Sequence, residues 1–279
     1  MRPESFTFRD GSSNQLNHLG EKGPLVLLLP AMGVRASYYP LLAERLVAAA
    51  MQFVSVDYRG LGKSSERASR KVDFGYESLV QDLHEIVSHL KSTYPDRPLY
   101  LIGHSLGGQI GLLYAARYPQ QFTGLAVIAS CTVYYKSWSG IGRLRILFAS
   151  QFFRLMSRII GFHQGKYLGF GGREARTVMR DWGFNAMDGR YLPKGSKFDY
   201  EAAMAKLTTP ALAITIEGDD FAPLKATEHL LNKLSPQAPK TYQTYTQTAA
   251  GHKLDHFNWV KHSEGLVPIL KNWIAESTQ

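Results

Sequence analysis

Two hydrophobic patterns alternate along most of this chain. Short runs of consecutive apolar residues, such as Leu25–Leu29 and 99–102, predict strands that are buried on both faces. Between them lie longer segments in which apolar residues recur every three or four positions, which predicts helices with one face on a sheet. In residues 76–94 the recurring positions are Leu79, Val80, Leu83, Ile86, Val87 and Leu90.

This alternation predicts an α/β fold with a doubly wound, mostly parallel sheet, whose functional groups gather at the carboxyl ends of the strands. An Asp10-Gly11 step between two strand-like segments predicts an amino-terminal hairpin of two edge strands. The predicted strands are 5–9, 14–19, 25–29, 53–57, 99–102, 124–130, 211–216 and 241–246. The predicted helices are 36–50, 76–94, 109–117, 223–234 and a last helix ending near residue 273.

The alternation stops between residues 131 and 208, where the chain becomes aromatic, rich in glycine and basic, with no clear run of strands. We therefore expect a core made of residues 1–130 and 210–279, with residues 131–209 as a helical cap inserted after the sixth strand. Residues 144–160 predict an amphipathic helix with one basic face. Such a helix either covers an acyl pocket with its apolar side or rests on an anionic membrane. We favour the helix as a cover of the pocket.

Two further features of the inserted segment bear on a pocket. Residues 167–173 contain glycines that permit a gating loop. Trp182, Met187 and Tyr191 are candidate lining residues, although single residues of these types usually serve packing.

Composition narrows the class of protein. The chain has 279 residues, of which 44% are hydrophobic, so it can bury a substantial core. The single cysteine, Cys131, excludes an internal disulfide framework. The first residues lack the apolar core of a signal peptide, so we expect a cytoplasmic protein. The net charge of +9 comes without a nucleic-acid-binding motif, so we expect no nucleic-acid partner.

One motif stands out at the end of an apolar run: Gly103-His104-Ser105-Leu106-Gly107. A serine at the tip of a tight turn between a strand and a helix needs a strained backbone and neighbours without side chains. The glycines at positions 103 and 107 leave that room. The backbone N–H of Leu106 would then lie at a helix amino terminus, directed at a developing oxyanion. The alternative is an ordinary glycine-rich turn.

These residues resemble the nucleophile elbow of the α/β-hydrolase family, and the resemblance covers nearly all of the chain outside the inserted segment. It implies that Ser105 is a nucleophile and that the loop after Leu25–Leu29 donates the second oxyanion N–H. The family's His-Gly pair in that loop is replaced here by Pro30-Ala31. Because the donor is a backbone group, we assign the role to Met32.

The resemblance also implies a catalytic acid after the strand 211–216. Asp219 fits the family's spacing to Pro223, and Asp220 is the alternative. A carboxylate is needed there to hold the catalytic histidine in one tautomer.

Two histidines compete for the role of general base. The general family pattern Ala-Gly-His selects His252. A group of largely uncharacterised bacterial α/β hydrolases is similar at three loops, namely 30–34, 219–222 and 256–259, and that similarity selects Asp219 and His256. We choose His256. Since His252 and His256 are four residues apart they resemble a metal motif, but no credible third ligand accompanies them.

Gly62-Lys63-Ser64 is similar to the end of a phosphate-binding loop, but Asp57 stands where that motif requires a glycine, so we expect no nucleotide binding there. The segment from Asp57 to Ser64 instead resembles a structural loop of the α/β hydrolases, and the resemblance implies that Asp57 and Arg59 brace turns beside the site.

The sequence therefore predicts a serine hydrolase that cleaves a carboxylic ester or related acyl bond of a small molecule through an acyl-enzyme. It predicts neither a cofactor nor a metal, and it makes no prediction about oligomeric state. A peptidase or an acyltransferase on the same fold is the chemical alternative, and a catalytically silent binding protein is the alternative of another class.

Overall fold

A computed structural model describes residues 1–277. Within these residues, eight strands form one sheet in the order β1-β2-β4-β3-β5-β6-β9-β10. The six strands from β4 to β10 run parallel, and β2 is antiparallel to both of its neighbours. The mostly parallel, doubly wound sheet is as predicted. The strands are β1 (Arg2–Thr7), β2 (Ser13–Leu19), β3 (Leu25–Leu29), β4 (Gln52–Val56), β5 (Leu99–His104), β6 (Gly124–Ile128), β9 (Ala211–Ile216) and β10 (Lys240–Tyr245).

One detail of the amino terminus differs from the prediction. β1 and β2 form the expected hairpin, but only β1 lies at the edge, because β2 also pairs with β4. Buried and partly exposed positions alternate along β2, and most of its residues are polar. Its sequence therefore resembles that of an edge strand although it has two neighbours.

Helices cover both faces of the sheet, which explains the continuous apolar runs in its central strands. One face is covered by α1 (Pro40–Ala48) and α10 (Leu266–Ser277), and the other by α2 (Tyr76–Thr93), α3 (Leu106–Arg117) and α8 (Leu224–Leu231). The predicted helix 36–50 is divided into a 3-10 turn at Ala36–Tyr38 and α1. Pro40 begins α1, where a missing backbone N–H costs nothing.

The inserted segment (131–209) contributes no strand to the large sheet. It contains α4 (Gly140–Ile160), α5 (Gly165–Leu168), α6 (Arg176–Asp188) and α7 (Tyr200–Met204). It also contains a ribbon of two short strands, β7 (Phe162–Gln164) and β8 (Arg173–Ala175), which no sequence pattern indicated. Three residues are too few for an alternating pattern to be recognised. A short helix, α9 (Gln247–Ala250), precedes the loop that carries His252 and His256.

The loop after β4 is a structural brace, as assigned. The Asp57 carboxylate accepts hydrogen bonds from the backbone N–H groups of Ala36 at 2.7 Å and Lys63 at 3.0 Å. Arg59 is paired with the carboxylates of Asp10 and Asp82. No helix in the described residues is both long enough and apolar enough to cross a bilayer.

Candidate active site

Ser105 lies at the turn between β5 and α3 with φ 54° and ψ −115°, a conformation that residues other than glycine rarely adopt. A Cβ atom at Gly103 would lie 2.4 Å from the backbone nitrogen of Gly108, and one at Gly107 would lie 2.2 Å from the carbonyl oxygen of Leu29. Both approaches are below contact distance, so the prediction that these positions require glycine is confirmed. The turn therefore holds the Ser105 hydroxyl out from the end of the sheet.

His256 lies beside this hydroxyl. Its Nε2 atom is 3.0 Å from Ser105 Oγ, and its Nδ1 atom is 2.8 Å from Asp219 Oδ2. The three side chains come from positions 105, 219 and 256, on loops after three different parallel strands. The geometry is that of a nucleophile, a base and a group that orients the base.

The environment of Asp219 explains why it, and not Asp220, reaches the histidine. Its Oδ1 atom accepts hydrogen bonds from the backbone N–H groups of Phe221 at 2.8 Å and Ala222 at 3.2 Å. This leaves Oδ2 directed at His256, and the Asp219 side chain is fully buried. Asp220 is exposed.

His252 does not enter the site. It is exposed and its ring stacks on that of His262, with 3.8 Å between the centroids. The structure thus separates the two histidines between which the sequence left a choice. Within residues 1–277, no three histidine, cysteine, aspartate or glutamate side chains are grouped as metal ligands.

Met32 and Leu106 both border the cavity in front of Ser105. Leu106 is the first residue of α3, so its N–H has no acceptor within the helix. In the loop after β3, the N–H of Ala31 donates to the hydroxyl of Tyr39 at 3.1 Å, and the N–H of Val34 donates to the carbonyl of Ala31 at 3.0 Å. Among the described residues the N–H of Met32 has no such acceptor.

The cavity has a volume of about 460 Å³ and an apolar lining drawn from both the sheet side and the inserted segment. Ligand pockets commonly have volumes of this order. Trp182 is part of the lining, whereas Met187 is exposed and Tyr191 packs in the core. The main apolar contributors are Val133, Ile146, Phe153, Leu168, Phe170 and Trp182.

Helix α4 differs from the predicted amphipathic helix. Ile146, Ala149 and Phe153 line the cavity, as expected of a roof. The opposite side is not a simple basic face, because large apolar residues such as Phe148 project from it into solvent.

Four polar residues around the site were not singled out from the sequence: Tyr39, His104, Gln109 and Ser130. The Ser130 hydroxyl donates to the carbonyl of Ser105 at 2.6 Å and so supports the strained turn. The Gln109 amide donates to the carbonyl of Cys131 at 2.8 Å and accepts from the Tyr76 hydroxyl at 3.1 Å. A glutamine among the apolar residues and glycines of the first turns of α3 was the only sequence signal.

Burial controls the protonation of two neighbours of the site. The pKa of His104 lies well below its ordinary value, first because burial disfavours the imidazolium and then because His256 is close. His104 is therefore neutral. Burial likewise raises the pKa of the Cys131 thiol, which also borders the cavity, and so disfavours its thiolate form.

Comparison with known proteins places this geometry in a family. A family model described as serine aminopeptidase, S33, matches residues 20–180, which is more than half of the chain. The monoglyceride lipase of Mus musculus is 32% identical over 110 residues, covering 39% of this chain and 36% of that protein. The chain thus matches about a third of the length of that relative. The proline iminopeptidase of Lactobacillus helveticus is 23% identical over 286 residues, covering 92% and 91%.

The solved structure of a monoacylglycerol lipase from Paleococcus ferrophilus superposes with a TM-score of 0.63 at 17% identity, covering 93% of this chain and 99% of that one. This similarity shows the fold. Together with the family match, it identifies the chain as a member of the serine aminopeptidase (S33) family and its fold as that of the α/β hydrolases.

Proposed function

We propose that this protein is a serine hydrolase that cleaves a carboxylic ester with an apolar acyl group. Ser105 Oγ attacks the carbonyl carbon while His256 Nε2 takes its proton, and Asp219 holds His256 in the tautomer with the proton on Nδ1. The proposal rests on one observation above all, the continuous contact from Ser105 Oγ through His256 to Asp219 Oδ2, with distances of 3.0 and 2.8 Å.

The backbone N–H groups of Met32 and Leu106 hold the carbonyl oxygen as it becomes negative. Their proposed role is supported by their position at the cavity and by the lack of an acceptor for either group within residues 1–277. His256 then returns its proton to the leaving alkoxide. Water attacks the acyl-enzyme by the same route and releases a carboxylic acid.

The cavity supports an apolar acyl group rather than an amino-terminal peptide. None of its lining residues is an aspartate or glutamate, so the ammonium group of an aminopeptidase substrate would be desolvated without a charged partner. The similarity to the mouse monoglyceride lipase points in the same direction. We assign the inserted segment (131–209) the role of a cap that selects the acyl chain, because α4 supplies Ile146 and Phe153 to the cavity.

A series of p-nitrophenyl esters with increasing acyl length tests the activity and the depth of the cavity together. Hydrolysis and labelling by a fluorophosphonate probe are expected in the wild-type protein and lost in Ser105→Ala. Aminoacyl p-nitroanilides, assayed in parallel, test the peptidase alternative. Equal labelling of the wild type and Ser105→Ala would refute the nucleophile, and preferred cleavage of the anilides would refute the ester assignment. Absence of any turnover would favour a silent binding protein.

A further inference from the structure

The outer side of helix α4 carries a row of large apolar residues that nothing in the described chain covers. The residues are Ile141, Leu144, Phe148, Phe152, Leu155 and Ile159, with exposed fractions between 47% and 74%. We call this row the apolar ridge. At 3.6 residues per turn the six side chains fall within an arc of about 80°. An exposed apolar patch of this extent is typical of an interaction surface.

The ridge is held in a fixed direction, because the other side of α4 is buried. Ile146 and Phe153 face the cavity, Ser150 and Ser157 are buried, and α4 packs against α6. Rotation of the helix to bury the ridge would expose the cavity lining instead. The ridge therefore faces solvent as a consequence of how the inserted segment packs.

A cationic depression of about 720 Å³ borders the ridge at Leu155, and we call it the arginine groove. Five cationic side chains line it: Arg154, Arg158, Arg176, Arg180 and Lys194. Two carboxylates partly neutralise them, since Arg176 pairs with Asp73 and Arg180 pairs with Asp181.

The remaining cations of the groove lack an acidic partner among the described residues. Arg154 hydrogen-bonds the side-chain oxygen of Gln151 at 2.8 Å, and burial together with the nearby Arg180 and Arg158 lowers its pKa. The guanidinium groups of Arg154 and Arg180 both lie over the ring of Phe184, at 4.2 and 4.4 Å from its centroid. These contacts hold like charges together around an open space, which suits a bound anion.

The charge of the surrounding segment is equally one-sided. Residues 131–173 contain seven lysine and arginine residues and no aspartate or glutamate. Arg145 is exposed on one flank of the ridge and Arg158 on the other. An apolar row between cationic flanks matches the layered chemistry of an anionic bilayer, in which acyl chains lie beneath phosphate groups.

We propose that the apolar ridge and the arginine groove together dock this protein on an anionic lipid bilayer, with the ridge among the acyl chains and a lipid phosphate in the groove. A second copy of the chain fits the same surface poorly. Two ridges packed on each other would bring together the flanking Arg145 and Arg158 of both copies, and α4 contains no acidic residue to pair with them. Because the other side of α4 lines the cavity, this docking would leave only the thickness of that helix between the cavity and the lipid.

Vesicle co-sedimentation of the full chain tests this proposal independently of any activity. Phosphatidylcholine vesicles are compared with vesicles that also contain phosphatidylglycerol. We expect preferential binding to the second, which weakens as the salt concentration rises.

Two pairs of variants separate the contributions. Leu144→Ser with Leu155→Ser removes two apolar side chains from the ridge and should weaken binding by more than about tenfold. Leu41→Ser with Leu224→Ser changes exposed leucines elsewhere and should leave binding unchanged. Arg145→Gln with Arg158→Gln should weaken binding about fivefold for each charge removed. Lys225→Gln with Lys271→Gln is the control with the same change in net charge. Circular dichroism and turnover of a short dissolved ester show that each variant is folded.

Three outcomes would overturn the proposal. The first is equal binding of both vesicle types, or equal binding by the ridge variant and its control. The second is a wild-type dimer that the ridge variant dissociates, without vesicle binding, which would assign the surface to a second copy. The third is stabilisation by inorganic phosphate that Arg158→Gln abolishes, again without vesicle binding, which would assign the groove to a small anion.

Discussion

The hydroxyl of Tyr39 lies 2.8 Å from His104 Nδ1, fully buried beneath the candidate active site. The same hydroxyl accepts the N–H of Ala31, next to Met32, and the other ring nitrogen of His104 lies 2.8 Å from the carbonyl oxygen of His256. A neutral His104 satisfies all these contacts when Tyr39 donates to Nδ1 and Nε2–H donates to His256. One chain of hydrogen bonds thus joins the loop of the proposed oxyanion donor to the loop of the proposed base.

Tyr39→Phe should interrupt this chain. The Ala31 N–H and His104 Nδ1 would each lose a buried partner, so we expect the free energy of unfolding to fall by about 1–3 kcal/mol and kcat to fall with it. Tyr38→Phe is a matched control, because the Tyr38 hydroxyl forms an exposed bond to the carbonyl of Phe257. Urea unfolding and ester turnover measure the two effects, and equal behaviour of the two variants would contradict the role of the chain.

Asp219→Asn should reduce kcat about ten-thousand-fold while leaving the fold intact. An amide in this position keeps the shape of the carboxylate but stabilises the wrong tautomer of His256 and no longer stabilises its protonated form. Asp220→Asn changes a neighbouring exposed residue in the same way and should retain activity. Steady-state kinetics on one ester decides between the two aspartates, and loss of activity in Asp220→Asn alone would refute the assignment.

His256→Ala should lower kcat about a million-fold, because the nucleophile and its base act as a unit. His252→Ala removes an imidazole from the same loop without touching Ser105, so it should behave like the wild type. Reaction with a fluorophosphonate probe gives a second measurement that does not depend on the choice of ester. Rapid labelling of His256→Ala would show that Ser105 is activated by another group.

Gly107→Ala should destabilise the protein by about 1–3 kcal/mol and abolish turnover. The new methyl group would lie 2.2 Å from the carbonyl oxygen of Leu29 in the neighbouring strand, so the elbow and β3 would have to separate. Gly142 lies in helix α4, and a methyl group added there would meet only the Trp138 side chain, at 3.3 Å. Gly142→Ala should therefore be neutral or stabilising. Thermal unfolding of the two variants compares the same substitution in two environments.

Glu174 should make the stability of the protein depend on pH. Burial raises the pKa of its carboxyl from 4.5 to about 7, against the opposing effect of a hydrogen bond from Gly172. Between these values the folded state holds a proton that the unfolded state has lost, so stability falls as the pH rises from 4.5 to 7 and stays low above it. Glu174→Gln removes this loss.

The variant should therefore exceed the wild type by up to about 3 kcal/mol at pH 8 and match it near pH 4. Urea unfolding at the two pH values measures the difference. A variant that is less stable than the wild type at pH 8 would show that the carboxylate is ionised and stabilising.

The fold and the tight turn that carries Ser105 could be predicted from the sequence because they depend on local rules. Leu27 and Leu28 lie on opposite faces of a central strand and both had to be apolar. Gly103 and Gly107 had to lack side chains around Ser105. The ribbon in the inserted segment was missed because its strands have only three residues each. The exposed side of α4 was misjudged because periodicity shows which residues share a face, and not what lies against that face.

The sequence by itself determined the doubly wound sheet, the elbow and the short lists of candidates for the acid and the base. Only the tertiary structure shows that His256 contacts Ser105 and Asp219 contacts His256, whereas His252 and Asp220 lie exposed outside the site. The members of each pair are chemically identical, and what separates them is a distance to residues more than thirty positions away along the chain. Such a distance is set by the packing of loops at the edge of the sheet, which no local pattern records.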